Sequence, residues 1–149
     1  MLSILIIDQN PLVCIGIQAL LNNALKKTAE THLASSKTEL DGLITELKID
    51  LFILGLYEKP DIDIFYLRKI IFETHPGSLL IVFYERFSLE SMLTFSQQRS
   101  VGFISKPRVK DELSTCLACV LKGEMYMCED TSQSIINAWT EKRVIPVKK

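Results

Sequence analysis

The residues best suited to chemistry follow short apolar runs in the sequence. Asp8 and Gln9 come directly after the first run, and Lys106 follows the last one. If these runs are parallel strands, their carboxyl ends meet at one edge of a sheet, which is where such folds place their sites. A carboxylate there could hold a hard cation, and a lysine could receive an anion. Between them the run 49–56 carries Gly55, which has no side chain and cannot act as a nucleophile.

The elements that position these residues are predicted from an alternation of apolar runs with helical patterns. Continuous apolar runs bounded by turn residues are typical of strands buried on both faces. Strands separated by helical stretches indicate a parallel sheet covered on both sides. The predicted strands cover residues 3–8, 31–35, 50–56, 79–84 and 102–105.

Capping residues predict where several helices begin and end. Asn10 before Pro11 predicts the first helix, and Ser36 with Glu39 forms a capping box for a helix that runs to about Leu47. A third helix over about 63–74 is closed by a His-Pro-Gly sequence. Further helices are predicted after Ser88, over about 109–121 and over 131–141, followed by a tail at 142–149.

Length and composition predict one domain. A chain of 149 residues with 48% hydrophobic residues can bury a substantial core. Its net charge of −1 argues against direct binding of nucleic acid, which needs clustered Lys and Arg. The start of the chain has no basic leader, and no apolar run approaches the length of a membrane span. We therefore expect a cytoplasmic protein with no membrane partner.

Four segments together resemble the receiver domain of response regulators, specifically the NarL/LuxR type. They are residues 2–13, 49–56, 79–84 and 101–107, and the resemblance extends to about residue 130. It implies a flavodoxin/CheY-like, doubly wound sheet of five parallel strands in the order 2-1-3-4-5 with five flanking helices. It also implies a receiver-like domain at 1–128 and a linker helix at 129–149, leading to a DNA-binding domain that is absent from this chain.

The same resemblance implies a degenerate phosphorylation pocket, so the chain looks like a pseudo-receiver. Gly55 stands at the position of the phosphate-accepting aspartate, and Asp8-Gln9 replaces the acidic pair that holds Mg²⁺. One carboxylate of that pair remains, and Lys106, with Pro107 after it, is the one position that matches the family's pattern. The predicted pocket residues are Asp8, Gln9, Gly55, Tyr84, Phe103 and Lys106. We expect no catalytic residue, no metal site and no cofactor.

Three pocket residues leave alternatives open. Asp8 either caps the following helix or pairs with Lys106, and the pair is favoured because each would be the other's nearest opposite charge. Tyr84 replaces a small hydroxyl residue, and its ring is expected at the pocket mouth or in solvent. One hypothesis places the ring in the room left by Gly55, so that Tyr84→Ser would open a cavity. Phe103 is either a switch aromatic or a core residue.

The receiver resemblance implies regulation by association, and the residues themselves argue against catalysis. The loop after the first strand lacks the glycines and hydroxyls that cradle phosphate, and no P-loop or Gly-x-Ser-x-Gly sequence occurs. We expect a phosphorylation-independent domain of a LuxR-type transcription regulator in a two-component system. It would form a homodimer or a heterodimer with a phosphorylatable response regulator. The predicted contact surface is helix one with the last receiver helix, or helix four with strand five and the last helix.

Two other functions are considered. In the first, the emptied acidic pocket senses an anionic ligand such as a nucleotide, with Lys106 and Arg108 as its cations. In the second, a different carboxylate is phosphorylated, at Asp8, Glu58 or Asp61. The cysteines are predicted to be buried apolar residues rather than a redox or metal site, because one Cys-x-x-Cys inside a helix is weak evidence for either, and the two histidines belong to different elements. These residues are Cys14, Cys116, Cys119, Cys128, His32 and His75.

Overall fold

A computed structural model describes residues 1–98 and 100–147 of the chain. The strands are β1 (Leu2–Ile7), β2 (Ala29–Ala34), β3 (Leu51–Leu56), β4 (Leu79–Tyr84), β5 (Val101–Ser105) and β6 (Tyr126–Met127). The helices are α1 (Pro11–Leu25), α2 (Lys37–Glu46), α3 (Ile64–Thr74), α4 (Leu89–Phe95), α5 (Val109–Leu121) and α6 (Glu129–Val147). Short 3₁₀ turns cover Lys26–Thr28 and Lys106–Arg108.

All strands pair in parallel, in the order β2-β1-β3-β4-β5-β6. The predicted order of the first five strands is confirmed. The sixth strand was not predicted, because its two residues are too short to show any period. With this topology β1, β3, β4 and β5 all end at one edge of the sheet, which brings together the residues that follow them.

The continuous apolar runs are explained by burial on both faces of the sheet. Along β1 and β3, side chains alternate between two core layers. Leu5, Ile7 and Phe52 belong to the layer that packs against α2, α3 and α4. Ile4 and Ile53 belong to the layer that packs against α1 and α5. Each such side chain contributes on the order of 1.5–3 kcal/mol on burial, so register and face are strongly specified.

The predicted helix caps are present. Asn10 accepts a hydrogen bond from the Leu12 amide at the start of α1, and Ser36 accepts one from the Glu39 amide at the start of α2. The Glu39 carboxylate reaches back to the amide of Ser35, one residue earlier than in an ordinary capping box. Ser88 caps α4 in the same way. These side chains satisfy amides that have no partner inside the helix.

The C-terminal helix is longer than predicted. α6 begins at Glu129 and continues to Val147, where the sequence predicted a helix over 131–141 and then a tail. Residues 148 and 149 of that tail lie outside the described residues. The first turn of α6 packs against β5, so this turn is part of the core, whereas Trp139 further along is 61% exposed. Within the described ranges, no helix combines the length and the apolar character that crossing a membrane requires.

Candidate functional site

Asp8 lies at the carboxyl end of β1 and is almost fully buried, at 1% exposure. One carboxylate oxygen, Oδ1, accepts hydrogen bonds from the Asn10 amide at 2.8 Å and from the Tyr57 hydroxyl at 2.7 Å. The other oxygen, Oδ2, is buried without a hydrogen-bond partner among the described residues. Asp8 therefore holds the turn that leads into α1 and also faces the interior of the pocket.

Burial is the largest influence on the pKa values of Asp8 and Tyr57. Removal from water disfavours the carboxylate and raises the pKa of Asp8 above its ordinary value, although Tyr57, the Asn10 amide and the more distant Lys106 act in the opposite direction. The pKa of the Tyr57 hydroxyl is also raised, by burial and by its bond to Asp8. Tyr57 therefore stays protonated and donates to Asp8 at every physiological pH.

The expected pair between Asp8 and Lys106 is not formed directly. Lys106 Nζ lies 2.8 Å from the Glu85 carboxylate and donates to the Tyr57 hydroxyl at 3.5 Å, with the ammonium 5.0 Å from the centre of the Tyr57 ring. Tyr57 thus stands between the two charges. Glu85 is exposed, so Lys106 finds an anion there without the desolvation cost of entering the buried pocket.

Sequence reasoning missed Tyr57 and Glu85 as members of this site. A signal for both was present, because they are the first residues after β3 and β4. Residues at those positions lie at the same sheet edge as Asp8 and Lys106. What the sequence could not show is that the Tyr57 ring turns back over the pocket and not toward solvent.

Gly55 leaves no room for a side chain. A Cβ added there would lie 1.9 Å from Asp8 Oδ2 and 2.7 Å from Phe83 Cζ. Phe83 is the register partner of Gly55 on β4, and its ring is buried. The space that a carboxylate at position 55 would need is therefore filled by Phe83 and Asp8.

The predicted exchange of volume between Gly55 and Tyr84 is therefore wrong. Phe83 and Tyr84 are neighbours on one strand and point to opposite faces of the sheet, so only Phe83 can reach Gly55. The ring of Tyr84 was expected at the mouth of the acidic pocket or in solvent, and it lies in neither place. It is buried on the α4 side, with its ring edge against Phe87.

The Tyr84 hydroxyl is hydrogen-bonded to Thr131 in the first turn of α6. The Thr131 hydroxyl is fully buried and donates to the Phe103 carbonyl at 3.3 Å, so it receives the Tyr84 proton. Phe103 itself lies in the core layer beside Tyr84, at 1% exposure, which favours the core alternative for this residue. Tyr84 thereby connects β4 to the start of the C-terminal helix.

The residues present do not fit Mg²⁺, the metal that the receiver resemblance implies. Among the described residues that line the small cavity, Asp8 is the one carboxylate, and the Gln9 side-chain oxygen accepts from the Asp61 amide at 2.9 Å. Among the described residues no group of three His, Cys, Asp or Glu could hold a metal ion. Mg²⁺ needs several oxygen ligands in near-octahedral geometry, and this donor set cannot supply them.

An anionic ligand beside Asp8 has little space, and both cations predicted to bind it are already paired. The cavity there has a volume of about 10 Å³, which is at most the room of one water molecule. Lys106 is paired with Glu85, and Arg108 binds Asp130 at 3.0 Å and lies 3.5 Å from Glu112. Of the two other carboxylates considered for phosphorylation, Asp61 is exposed, and Glu58 lies 3.2 Å from Arg86 on the exposed surface.

The cysteines pack as apolar side chains. Cys14, Cys116 and Cys128 are buried, Cys119 is half-buried, and all four are free thiols. A Cβ added to Gly102 would lie 2.3 Å from Cys116 Sγ, so this sulfur fills the space above a strand glycine. Burial raises the pKa of the Cys116 thiol to about 12, which leaves it unreactive.

Comparisons with known proteins show the fold. No protein-family model and no curated protein sequence matches the chain. The solved structures that resemble it include the RcsB response regulator of Salmonella typhimurium, at 21% identity and a TM-score of 0.73. The match covers 89% of this chain and 65% of the RcsB chain. This chain therefore spans less than two thirds of that protein.

Two further structures match over nearly their whole length. The isolated receiver domain of RcsB from Salmonella enterica, in the presence of the phosphomimetic BeF₃⁻, has 21% identity and a TM-score of 0.73, with 89% of this chain and 96% of that one covered. A LuxR-family DNA-binding response regulator from Silicibacter pomeroyi has 20% identity and a TM-score of 0.69, with 87% and 99% covered. The chain has the CheY-like receiver fold.

Proposed function

We propose that this chain is a receiver-like regulatory domain of a LuxR-type transcription regulator and that it works without aspartyl phosphorylation. The observation that carries the proposal is the filled space at Gly55, where the Phe83 ring and the Asp8 carboxylate occupy the position of a phosphate-accepting side chain. Aspartyl phosphorylation requires a nucleophilic carboxylate and a metal, but position 55 has no carboxylate and the oxygen ligands around Asp8 do not fit Mg²⁺.

The domain then acts through association, as a homodimer or as a heterodimer with a phosphorylatable response regulator. Burial now favours one of the two predicted surfaces. Helix α1 contains no charged residue, and its outer side exposes Leu12 by 76% and Ile15 by 54%. The centre of a protein interface is typically depleted in charge, so an uncharged surface helix with exposed aliphatic residues is suited to this role.

The adjoining part of α5 supports the same choice. Helix α1 packs beside α5, whose exposed positions after the first turn are Ser114, Thr115, Ala118 and Leu121. The competing surface on α4 exposes one large apolar residue, Leu93, beside Glu90. We therefore assign association to α1 with α5, and contact with DNA to a domain outside these 149 residues.

Sedimentation velocity over a wide concentration range tests the proposal, with and without Mg²⁺ and beryllofluoride. We expect the same sedimentation coefficients in both conditions. A dimer that ignores the mimic supports constitutive self-association. A monomer that ignores it directs the experiment to mixtures with a phosphorylatable response regulator, where a new, faster species is expected. Association that appears only with the mimic would overturn the proposal.

A further inference from the structure

A cavity of about 360 Å³ lies on the α4 side of the sheet, and Asp8 is not among its lining residues, although Tyr57, which donates to Asp8, is. Pockets that bind small molecules have volumes of about 300–1,000 Å³ and apolar walls with a few placed polar groups. Val82, Tyr84 and Phe103 from the ends of β4 and β5 line this cavity, together with Phe87 and Met92. With Tyr57, four aromatic residues and a methionine line the cavity, and such a lining is suited to a flat aromatic ring.

Two opposite charges also line this cavity. Arg86 and Glu58 face each other at 3.2 Å, and both are well exposed to solvent. An exposed ion pair of this kind contributes only about 0–1 kcal/mol, so each partner can exchange the other for a ligand group at little cost. The guanidinium is suited to a carboxylate, and the carboxylate is suited to an ammonium group.

We propose that this cavity binds a small aromatic zwitterion, with the chemistry of a free aromatic amino acid. The ring lies on Tyr84, Phe87 and Phe103, the ligand carboxylate pairs with Arg86, and its ammonium group pairs with Glu58. A zwitterion is favoured over a simple anion or cation because it leaves neither Arg86 nor Glu58 without a partner.

Binding of the ligand in this cavity would affect the start of the C-terminal helix, α6. Tyr84 and Thr131 both line the cavity, and they are hydrogen-bonded to each other. A ligand that contacts Tyr84 therefore contacts the joint between β4 and the first turn of α6. Trp139 further along α6 is the only tryptophan of the chain, so its indole N–H resonance is a single, assignable reporter.

A matched series of probes tests whether the ligand pairs with both Arg86 and Glu58. ¹⁵N-labelled protein is titrated with unlabelled L-tryptophan, with indole-3-propionate, which lacks the ammonium group, and with tryptamine, which lacks the carboxylate. We expect saturable shifts around Tyr84, Phe87 and Phe103 with L-tryptophan, and affinities about three- to tenfold weaker for the other two probes. Arg86→Gln should weaken L-tryptophan and indole-3-propionate but not tryptamine, and Glu58→Gln should weaken L-tryptophan and tryptamine but not indole-3-propionate.

A second pair of variants tests whether the probes bind in this cavity. Ser91 lines the cavity, so Ser91→Phe should fill it and abolish the shifts, while Glu90→Phe, at the neighbouring exposed position, should leave them unchanged. The absence of saturable shifts with all three probes would overturn the proposal, and so would binding that survives Ser91→Phe in a folded variant. Either failure leaves the proposed association through α1 untouched, because that surface does not include the cavity.

Discussion

The Tyr57 hydroxyl donates a hydrogen bond to the buried Asp8 carboxylate at 2.7 Å and accepts one from Lys106 at 3.5 Å. Asp8 and Lys106, which were expected to form an ion pair, are therefore connected through the Tyr57 hydroxyl and do not contact each other directly. Asp8 is buried, at 1% exposure, and Lys106 is paired with the exposed Glu85. The site is therefore a packed structural network rather than a receptive pocket.

The filled space at Gly55 predicts that even one methyl group there is destabilising. Gly55→Ala would place Cβ 1.9 Å from Asp8 Oδ2, and Asp8 is held by the hydrogen bonds to its other oxygen. We expect a loss of about 1–3 kcal/mol in the free energy of unfolding. Gly42→Ala is the matched control, because nothing lies within 4 Å of its Cβ on the exposed side of α2, and it should gain about 0.5–1 kcal/mol. Urea denaturation measures both, and equal effects of the two substitutions would contradict the packing at Gly55.

The raised pKa of Asp8 predicts how the stability of the protein depends on pH. Its pKa is raised by burial, so between its ordinary value of 3.8 and the raised value the folded state binds more protons than the unfolded state. The contribution of Asp8 to stability is thus fully present below pH 3.8 and decreases as the pH rises through that window. Asp8→Asn stays neutral and should lack this decrease.

The measurement is the difference in unfolding free energy between the parent protein and Asp8→Asn, taken from pH 3 to pH 8. Subtracting the two curves removes the contributions of other carboxylates, such as Asp130, whose pKa is lowered by Ser105 and Arg108. Asp61→Asn, at an exposed position, serves as the control. A difference curve that does not change with pH would show that Asp8 titrates normally.

The bond between Tyr84 and Thr131 predicts local loosening of α6. Tyr84→Phe keeps the ring and removes the hydroxyl, so we expect a loss of about 0.5–1.5 kcal/mol and faster hydrogen exchange in the first turn of α6. Thr131→Val and the double variant complete a cycle in which the two changes should be less than additive. Additive effects would mean that the two hydroxyls do not interact. Tyr84→Ser should also destabilise, because it leaves a cavity beside Phe87.

The uncharged outer side of α1 predicts which substitution abolishes association. Leu12→Glu places a charge at the centre of the proposed interface and should shift the dimer to monomer, or abolish the complex with a response regulator partner. Leu93→Glu on α4 is the control, since Leu93 is also an exposed leucine on a surface helix, at 54% against 76% for Leu12. Analytical ultracentrifugation of both variants decides between the surfaces, and the opposite pattern would place the interface on α4.

The thiols predict a two-phase reaction with DTNB. Cys119 is the one cysteine that is not buried, so one thiol should react in the native protein, and the other three should react only after unfolding. Cys119→Ser should remove the fast phase. Rapid reaction of Cys116 would contradict its burial against Gly102.

The sequence alone determined the architecture. Apolar runs such as 50–56, separated by capped helices, indicate a parallel sheet buried on both faces, because that arrangement removes every side chain of a run from water. Local signals were equally informative at Ser36 and Ser88, since a cap depends on residues only a few positions apart. The two-residue β6 and the length of α6 carried no such local signal and were missed or underestimated.

The tertiary structure decided what occupies the site. That Phe83 and not Tyr84 fills the space at Gly55 follows from strand register and side-chain direction, and that Tyr57 separates Asp8 from Lys106 follows from a loop conformation. Both are contacts between residues far apart in the chain, whose geometry depends on how all the strands and loops pack at once. Residue type and spacing show which groups reach a sheet edge, but which of them meet is set by the packing of the whole fold.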